Sequence, residues 1–227
     1  NDQGEGRYVT VRGMNTDLNA MTINGVSTAS PEDRRGVILD GVPTDLLDSM
    51  TVYKTLTPNL DADTIGGAID LETISAFSYG SNFVKFKAET SRNDLTKDSS
   101  NPKLSGTYTT VIPQENGDLG IAFVISSQER RIKAENNETG GWGSTYVDDD
   151  YEMRYYDLTR ERDGIVLNLD YVSNSGSKTY LHLFHNEYED VEYRAKWEVR
   201  DVMEEYTPTI SGTVATYGAS RMDTEGK

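Results

Sequence analysis

The chain has 227 residues, no cysteine and a formal net charge of −16. The lack of cysteine excludes a disulfide scaffold, a thiolate metal site and a cysteine nucleophile, and the acidic balance argues against a nucleic-acid partner, which clustered Lys and Arg would bind. No run of 18 apolar residues is present, which excludes a transmembrane helix but not transmembrane β-strands, whose signal is weaker per segment.

Residues 1 to about 75 alternate short β-rich runs with turn signals. Strands are predicted at 8–12, 20–23 and 36–39. The second run ends at Asn24-Gly25, a strong tight-turn dipeptide.

A helical turn is predicted next, at residues 43–48, because proline begins this segment and acidic residues follow within it. Strands are then expected at 50–54 and 68–73, the latter opened by Gly66-Gly67. These runs predict a small mixed α+β unit over residues 1–75.

From about Phe77 the pattern changes to longer alternating runs, typical of antiparallel strands with two different faces. On one strand Val84, Phe86 and Ala88 share a face. The other runs place the following residues on one face: Leu119, Ile121, Phe123 and Ile125; Ile165, Leu167, Leu169 and Tyr171; Leu181, Leu183 and His185. With the β-rich segment 103–112, about five strands are predicted.

The connections between these strands alternate in length. Residues 113–118 and 173–177 are tight turns, whereas 92–102, 134–155 and the segment from Trp197 onward are long. Such alternation is typical of outer-membrane barrels, although a β-sandwich or meander with one wet face has the same periodicity. Five strands cannot close a barrel, and the chain begins without Met, so we expect a fragment of a longer protein.

Four segments resemble, in the same order, the later part of the plug domain of TonB-dependent outer-membrane receptors. They are Val9-Thr10-Val11-Arg12-Gly13, Met21-Thr22-Ile23-Asn24-Gly25-Val26, residues 45–54, and residues 61–73 with Gly66-Gly67. The resemblance implies a mixed fold, in which a small α+β plug domain at 1–75 precedes antiparallel transmembrane β-barrel strands at 76–227. The whole barrel would have about 22 strands and hold the plug in its lumen.

The resemblance also implies a function. Such a receptor takes up a scarce nutrient across the Gram-negative outer membrane, and its partners are TonB with the inner-membrane energising complex, outer-membrane lipid and lipopolysaccharide, and a small-molecule or oligosaccharide ligand. The family catalyses no covalent step, and we expect no catalytic residue, metal or cofactor. The TonB box and the first half of the plug are not in this sequence.

The segment Lys54-Thr55-Leu56-Thr57-Pro58 departs from the Arg-Gly-Pro of most relatives. It resembles the Xanthomonas and Caulobacter-type subgroup, many members of which are linked to carbohydrate scavenging. The resemblance therefore favours an oligosaccharide as the ligand, with a ferric siderophore as the alternative.

Candidate ligand-binding residues lie in three segments. Arg12 ends a predicted strand before Gly13, and polar residues follow it; in some relatives the matching arginine and the plug apices touch ligand, although an ion pair of Arg12 within the plug or with the barrel is also open. A second candidate apex follows the Asn24-Gly25 turn, and the longest loop carries two aromatic residues beside Asp148-Asp149-Asp150. The candidates are Arg12, Asn15, Asp17, Asn19, Ser27, Thr28, Ser30, Trp142 and Tyr146.

Two possible metal motifs are weaker. Asp61, Asp63, Gly66 and Glu72 fit four positions of an EF-hand loop, but Ile65 occupies a position that needs an oxygen ligand. His182 and His185 lie three apart in a predicted strand, and therefore on opposite faces, so both cannot reach one metal ion.

Two other classes of protein remain open. One is a soluble periplasmic or secreted β-domain that binds glycans. The other is an acidic secreted enzyme, which would need two carboxylates at a set separation in a cleft. No G-x-S-x-G, Walker or dinucleotide motif is present.

Overall fold

The computed structural model describes the chain in segments. These are residues 5–28, 30, 36, 38–55, 57, 60, 65–80, 82–97, 100–139, 151–200, 209–211, 214–216 and 221–226. They form an N-terminal unit, defined here as the described residues up to Tyr79, and a six-stranded antiparallel sheet after it.

The N-terminal unit is built on a four-stranded sheet in the order β2-β1-β4-β3. Strand β1 (Asn19–Ile23) pairs in parallel with β4 (Gly67–Thr73), and β4 pairs antiparallel with β3 (Leu47–Tyr53). The short β2 (Val26–Ser27) returns from β1 through Asn24-Gly25, whose φ angles of 51° and 76° suit a two-residue hairpin turn. The strands of the predicted unit are thus confirmed at 19–23, 47–53 and 67–73.

Three short helical turns complete the unit. 3-10 helices cover Thr16–Leu18 and Thr44–Leu46, and helix α1 covers Ala76–Tyr79. The turn predicted at 43–48 is thus shorter than expected, because β3 begins at Leu47.

The strands expected at 8–12 and 36–39 do not form within the described residues. The two segments are joined by a hydrogen bond from Leu39 N to Arg7 O. Arg12 and Gly13 have φ angles of 57° and 73°, which turn the chain away from an extended path.

The second sheet has the order β12-β9-β8-β7-β6-β5. Its strands are β5 (Phe83–Thr90), β6 (Pro102–Gln114), β7 (Gly117–Thr139), β8 (Tyr151–Ser173), β9 (Lys178–Arg200) and β12 (Arg221–Gly226). A separate hairpin joins β10 (Thr209–Ser211) to β11 (Val214–Thr216). Among the described residues β5 and β12 each pair with one strand only, so the sheet is open, which is consistent with part of a barrel.

The strands β7, β8 and β9 are longer than the sequence predicted. Each has 23 residues, or roughly 75 Å at the usual rise per residue. The loops expected to begin at Ala134 and Trp197 therefore begin later, because cross-strand charge pairs such as Arg154 with Glu138 continue the ladder. The short connections, 115–116 and 174–177, lie at one end of the sheet, which we call the short-turn end.

The two faces of the sheet differ as the alternation predicted. The face that contacts the N-terminal unit is called inward, and the opposite face outward. The outward face carries apolar rows across β5 to β9. One such row contains Phe86, Ile125 and Ile165, with Gly106 of β6 between the first two. From Leu119 to Ile125 the rows extend about 20 Å along the strand, close to the apolar band of outer-membrane barrels. Directly beyond this band the outward residues are polar, as at Ser127 and Asp163.

The N-terminal unit packs on the inward face of this sheet. Leu46 is fully buried there against Val124 and Val166, together with Ile74 and Ala76 from its own unit. Gly164 lies directly beneath Leu46, and a Cβ at that position would collide with the leucine side chain. The glycine therefore lets the turn at Leu46 approach the sheet closely.

The described helices are all too short and too polar to span a lipid bilayer.

Replacement of Leu46 by alanine tests this packing. We expect Leu46→Ala to destabilise the docked N-terminal unit by about 2–5 kcal/mol, because it leaves a cavity at a fully buried site. Limited proteolysis of the full-length protein in detergent, across a urea series, measures the loss of protection. Val26→Ala is the control, since Val26 is 70% exposed and its truncation should change stability by about 0.5 kcal/mol or less. Equal urea midpoints for the two variants would contradict the packing described.

Candidate functional site

The predicted ligand residues of the N-terminal unit group mainly at one end of its sheet. Arg12 is exposed, and its Nη1 donates a hydrogen bond to Lys54 O at 3.2 Å. The acceptor for Arg12 is therefore a backbone carbonyl of the same unit. It is not a carboxylate, which the ion pair expected as the alternative would require. Asn19 Nδ2 donates to Val9 O at 3.2 Å at the same end.

Asn15, Asp17 and Ser30 are brought together through Gly36. Asn15 Oδ1 accepts from Asp17 N at 3.0 Å, and Asp17 Oδ1 accepts from Gly36 N at 2.9 Å. Ser30 Oγ donates to Gly36 O at 3.1 Å. With Arg12 and Asn19 these residues form one polar edge, called here the Arg12 edge, in which most side chains also hold the local backbone.

The second predicted apex is separate from this edge. Ser27 is exposed beside the Asn24-Gly25 turn, and Thr28 Oγ1 donates to Met21 O at 3.1 Å. Thr28 also lines a cavity of about 360 Å³ between the unit and β9, with Phe184 on the opposite wall.

The remaining predicted ligand residues belong to the longest loop. Trp142 and Tyr146 lie outside the described residues, as do Asp148 to Asp150.

The histidines lie on opposite faces, as predicted. His182 points inward and its Nε2 is 2.8 Å from Asp170 Oδ1. The same carboxylate accepts a 2.9 Å hydrogen bond from Ser75 Oγ of the N-terminal unit. His185 shares the outward face with Leu183.

The EF-hand-like loop is only partly described. Asp61 and Asp63 lie outside the described residues, and Glu72 accepts a hydrogen bond from Ser49.

A cluster of charges that no sequence motif predicted joins the unit to the sheet. Register places Arg130, Arg160 and Asp190 in one inward row across β7, β8 and β9. Tyr188 lies beside Arg162 in the neighbouring row. The N-terminal unit adds acidic and basic groups to these rows, and the whole set, called the Arg160 cluster, comprises Glu5, Arg7, Asp40, Arg130, Arg160, Arg162, Tyr188 and Asp190.

Glu5 bridges three arginines of the sheet. Its Oε2 lies 2.9 Å from Arg160 Nη1 and 2.7 Å from Arg162 Nη2, and its Oε1 pairs with Arg130. The side chain of Arg160 is only 1% exposed and also reaches Asp190 at 3.2 Å. Because a guanidinium without partners is costly to bury, this position on β8 requires carboxylates from both the sheet and the N-terminal unit.

Asp40 completes the cluster from the N-terminal unit. Its carboxylate is 3.7 Å from Arg160 and accepts a hydrogen bond from Tyr188 at 3.4 Å, while its carbonyl accepts from Arg162. Burial raises the pKa of Asp40 more than the neighbouring arginines lower it. For Glu5 burial also raises the pKa, but hydrogen bonds and charges of Arg160, Arg162 and Arg130 outweigh it, and the net pKa is lowered.

A second ionic contact lies at the turn beside Leu46. Asp45 pairs with Lys87 at 3.0 Å and with Lys103 at 2.6 Å, on β5 and β6. Burial raises the pKa of Asp45, but the two lysines outweigh this effect and the net pKa is lowered.

The sequence did carry a signal for the Arg160 cluster. Arg160 and Arg162 share the period-two face of Val166 and Asn168, and buried arginines need acidic partners.

Neutralising Glu5 should loosen the unit. We expect Glu5→Gln to destabilise docking by about 3 kcal/mol, because it leaves buried arginines short of a counter-charge. The measurement is protection of the N-terminal unit from protease in the full-length protein. Glu129→Gln is the matched control, since Glu129 pairs with Arg131 at the surface and such pairs are worth about 1 kcal/mol or less. A loss in the control as large as in Glu5→Gln would contradict the special role of the cluster.

Docking should also depend on pH. A carboxylate with a lowered pKa stabilises the docked form above its ordinary pKa, and that contribution is lost as pH falls through the lowered value. Glu5 and Asp45 act in this direction, whereas Asp40, whose pKa is raised, acts in the opposite one. We therefore expect acid to release the unit, with a shallower pH dependence in Glu5→Gln. Protease protection measured from neutral to acidic pH tests this, and identical profiles for variant and parent would overturn it.

Comparison with known proteins bears on the N-terminal unit. Residues 1–68 match the family model described as TonB-dependent Receptor Plug Domain. Comparisons with curated proteins and with solved structures found no match. The plug family is one of transporters and receptors rather than enzymes, and it implies the outer membrane, TonB and a small ligand. The plug match and the mainly β-stranded structure thus support the TonB-dependent receptor family for this chain.

Proposed function

We propose that the chain is the later plug and first barrel strands of a receptor that takes up an oligosaccharide across the outer membrane in a TonB-dependent way. The observation that carries the proposal is the docking of the plug-matching unit on the inward face of a sheet whose outward face is apolar. That arrangement suits a plug inside a lipid-embedded barrel, because the outward rows need an apolar surrounding and the inward rows are polar or covered.

The ligand in this proposal contacts the Arg12 edge. Arg12 and Asn15 are exposed there, and their guanidinium and amide groups can donate hydrogen bonds to sugar hydroxyls. The subgroup resemblance of Lys54-Thr55-Leu56-Thr57-Pro58 supports an oligosaccharide. A ferric siderophore is the second candidate, because a guanidinium also suits an anionic ferric complex.

Release of ligand in this proposal requires the plug to move. The surface between the plug and the sheet combines a small apolar core around Leu46 with charged and hydrogen-bonded contacts around Arg160, Asp45 and Asn168. Polar contacts can exchange with water once they separate, so such a surface can open and close again more easily than a wholly apolar one. Force applied through TonB would supply the energy for separation.

Fractionation of cells that express the full-length protein tests the proposal. We expect outer-membrane enrichment and a mobility shift between unboiled and boiled samples on a denaturing gel. We further expect growth on oligosaccharides to need both the receptor and TonB, with growth on ferric siderophores unaffected. A soluble periplasmic product without a shift would contradict transport and favour a glycan-binding domain. A heat-modifiable product that is needed only for uptake of ferric siderophores would support transport but identify the siderophore, and not the oligosaccharide, as the ligand.

A further inference from the structure

The outward face of the sheet carries a groove that the transport function does not use. It has a volume of about 840 Å³ and lies on β7, β8 and β9, toward the ends opposite the short-turn end. Its lining includes Glu135, Asn137, Met153, Tyr155, Tyr193 and Trp197. A volume of this size is within the usual range of small-ligand sites.

The strand register puts these residues outside the lumen and above the apolar band. Asn137, Met153 and Trp197 form one outward row, and Tyr155 lies in the next. Tyr155 is ten residues before Ile165 of the apolar band on β8, or about 33 Å along the strand. The groove thus faces the aqueous layer just outside the membrane, on the side of the sheet opposite the plug.

The rings in the groove are partly exposed and at least one is held in place. Tyr193 is 54% exposed, and Trp197 is half-buried on the same face of β9, with Ala195 between the two. Lys133 Nζ lies 5.9 Å from the centroid of the Tyr155 ring, a cation–π contact that orients the ring. Aromatic side chains on rigid strands offer flat apolar surface at a low entropic cost of binding.

The cations that line the groove are already compensated. Arg154 pairs with Glu138 and Glu152, and Lys196 Nζ lies 3.3 Å from Glu152 and 3.2 Å from Glu198. The outward row adds the exposed carboxylate of Glu135 to the lining. The groove therefore does not select a strongly charged ligand such as a phosphate or a basic peptide. The Asn137 amide and the Glu135 carboxylate remain suited to hydrogen bonds with hydroxyl groups.

We propose that this groove binds a neutral chain of pyranose sugars. The apolar faces of the sugar rings stack on Tyr155, Tyr193 and Trp197, and the amide and carboxylate accept their hydroxyl hydrogens. Two sources share this chemistry: the saccharide of a neighbouring lipopolysaccharide molecule, and a free oligosaccharide. The inference rests on the outer-membrane location in the proposed function, but not on transport or on the identity of the transported ligand.

Binding of labelled saccharides to the full-length protein in detergent tests the groove. The probes are a fluorescein-labelled neutral O-chain saccharide, released from the host's lipopolysaccharide by mild acid, and fluorescein-labelled maltoheptaose. We expect Tyr193→Ala and Trp197→Ala each to raise Kd about tenfold, with Trp197→Phe retaining most of the affinity. Tyr180→Ala is the matched control, because Tyr180 is an exposed aromatic residue at the far end of the same strand.

The outcomes separate the groove from transport. Heat-modifiability on gels verifies the folding of each variant, and TonB-dependent growth should stay within about twofold of the parent, so failure of the groove leaves the proposed function intact. Loss of O-chain binding in the groove variants assigns the site to lipopolysaccharide saccharide, and loss of maltoheptaose binding assigns it to free oligosaccharide. No binding of either probe by the parent, or equal Kd values in Trp197→Ala and Tyr180→Ala, overturns the proposal.

Discussion

The burial of the Arg160 guanidinium is the constraint on which the rest of the arrangement depends. A cation with 1% of its side chain exposed must be matched by carboxylates. The sheet supplies Asp190, and the N-terminal unit supplies Glu5 and Asp40. The acidic groups of the unit fix its position along β8. The turn at Leu46 and the hydrogen bonds of Asn168 then lie on the same inward face, nearer the short-turn end.

This constraint gives the two faces of one sheet different tasks. The inward face carries small residues where the unit approaches, such as Gly164, and charged residues where it must be held. The outward face carries an apolar band and, beyond it, a polar surface with an aromatic groove. Under the proposed function, polar contacts of this kind would suit a plug that moves, because water can replace them when they separate.

Sequence periodicity was sufficient to predict the strand faces, the alternating connections and the tight turn at Asn24-Gly25, since each depends on local alternation or φ preference. It was insufficient for the segments 8–12 and 36–39, where β-rich composition did not produce strands. Several predicted ligand residues, Asp17 and Ser30 among them, bond the local backbone in the structure, and their contact with a ligand stays a prediction. The Arg160 cluster escaped prediction because its acidic and basic members are far apart in the sequence. Glu5 and Arg162, for example, are 157 positions apart, and only the fold brings them together.

A double-mutant cycle between Glu5 and Arg160 tests the central claim most directly. The quantities compared are the free energies of docking, from protease protection, in the parent, Glu5→Gln, Arg160→Gln and the double variant of the full-length protein. Direct contact predicts a coupling energy of about 1–3 kcal/mol between the two substitutions, because either one alone leaves a buried charge short of its partner. Additive effects within about 0.5 kcal/mol would show that the two residues act independently and would contradict the account.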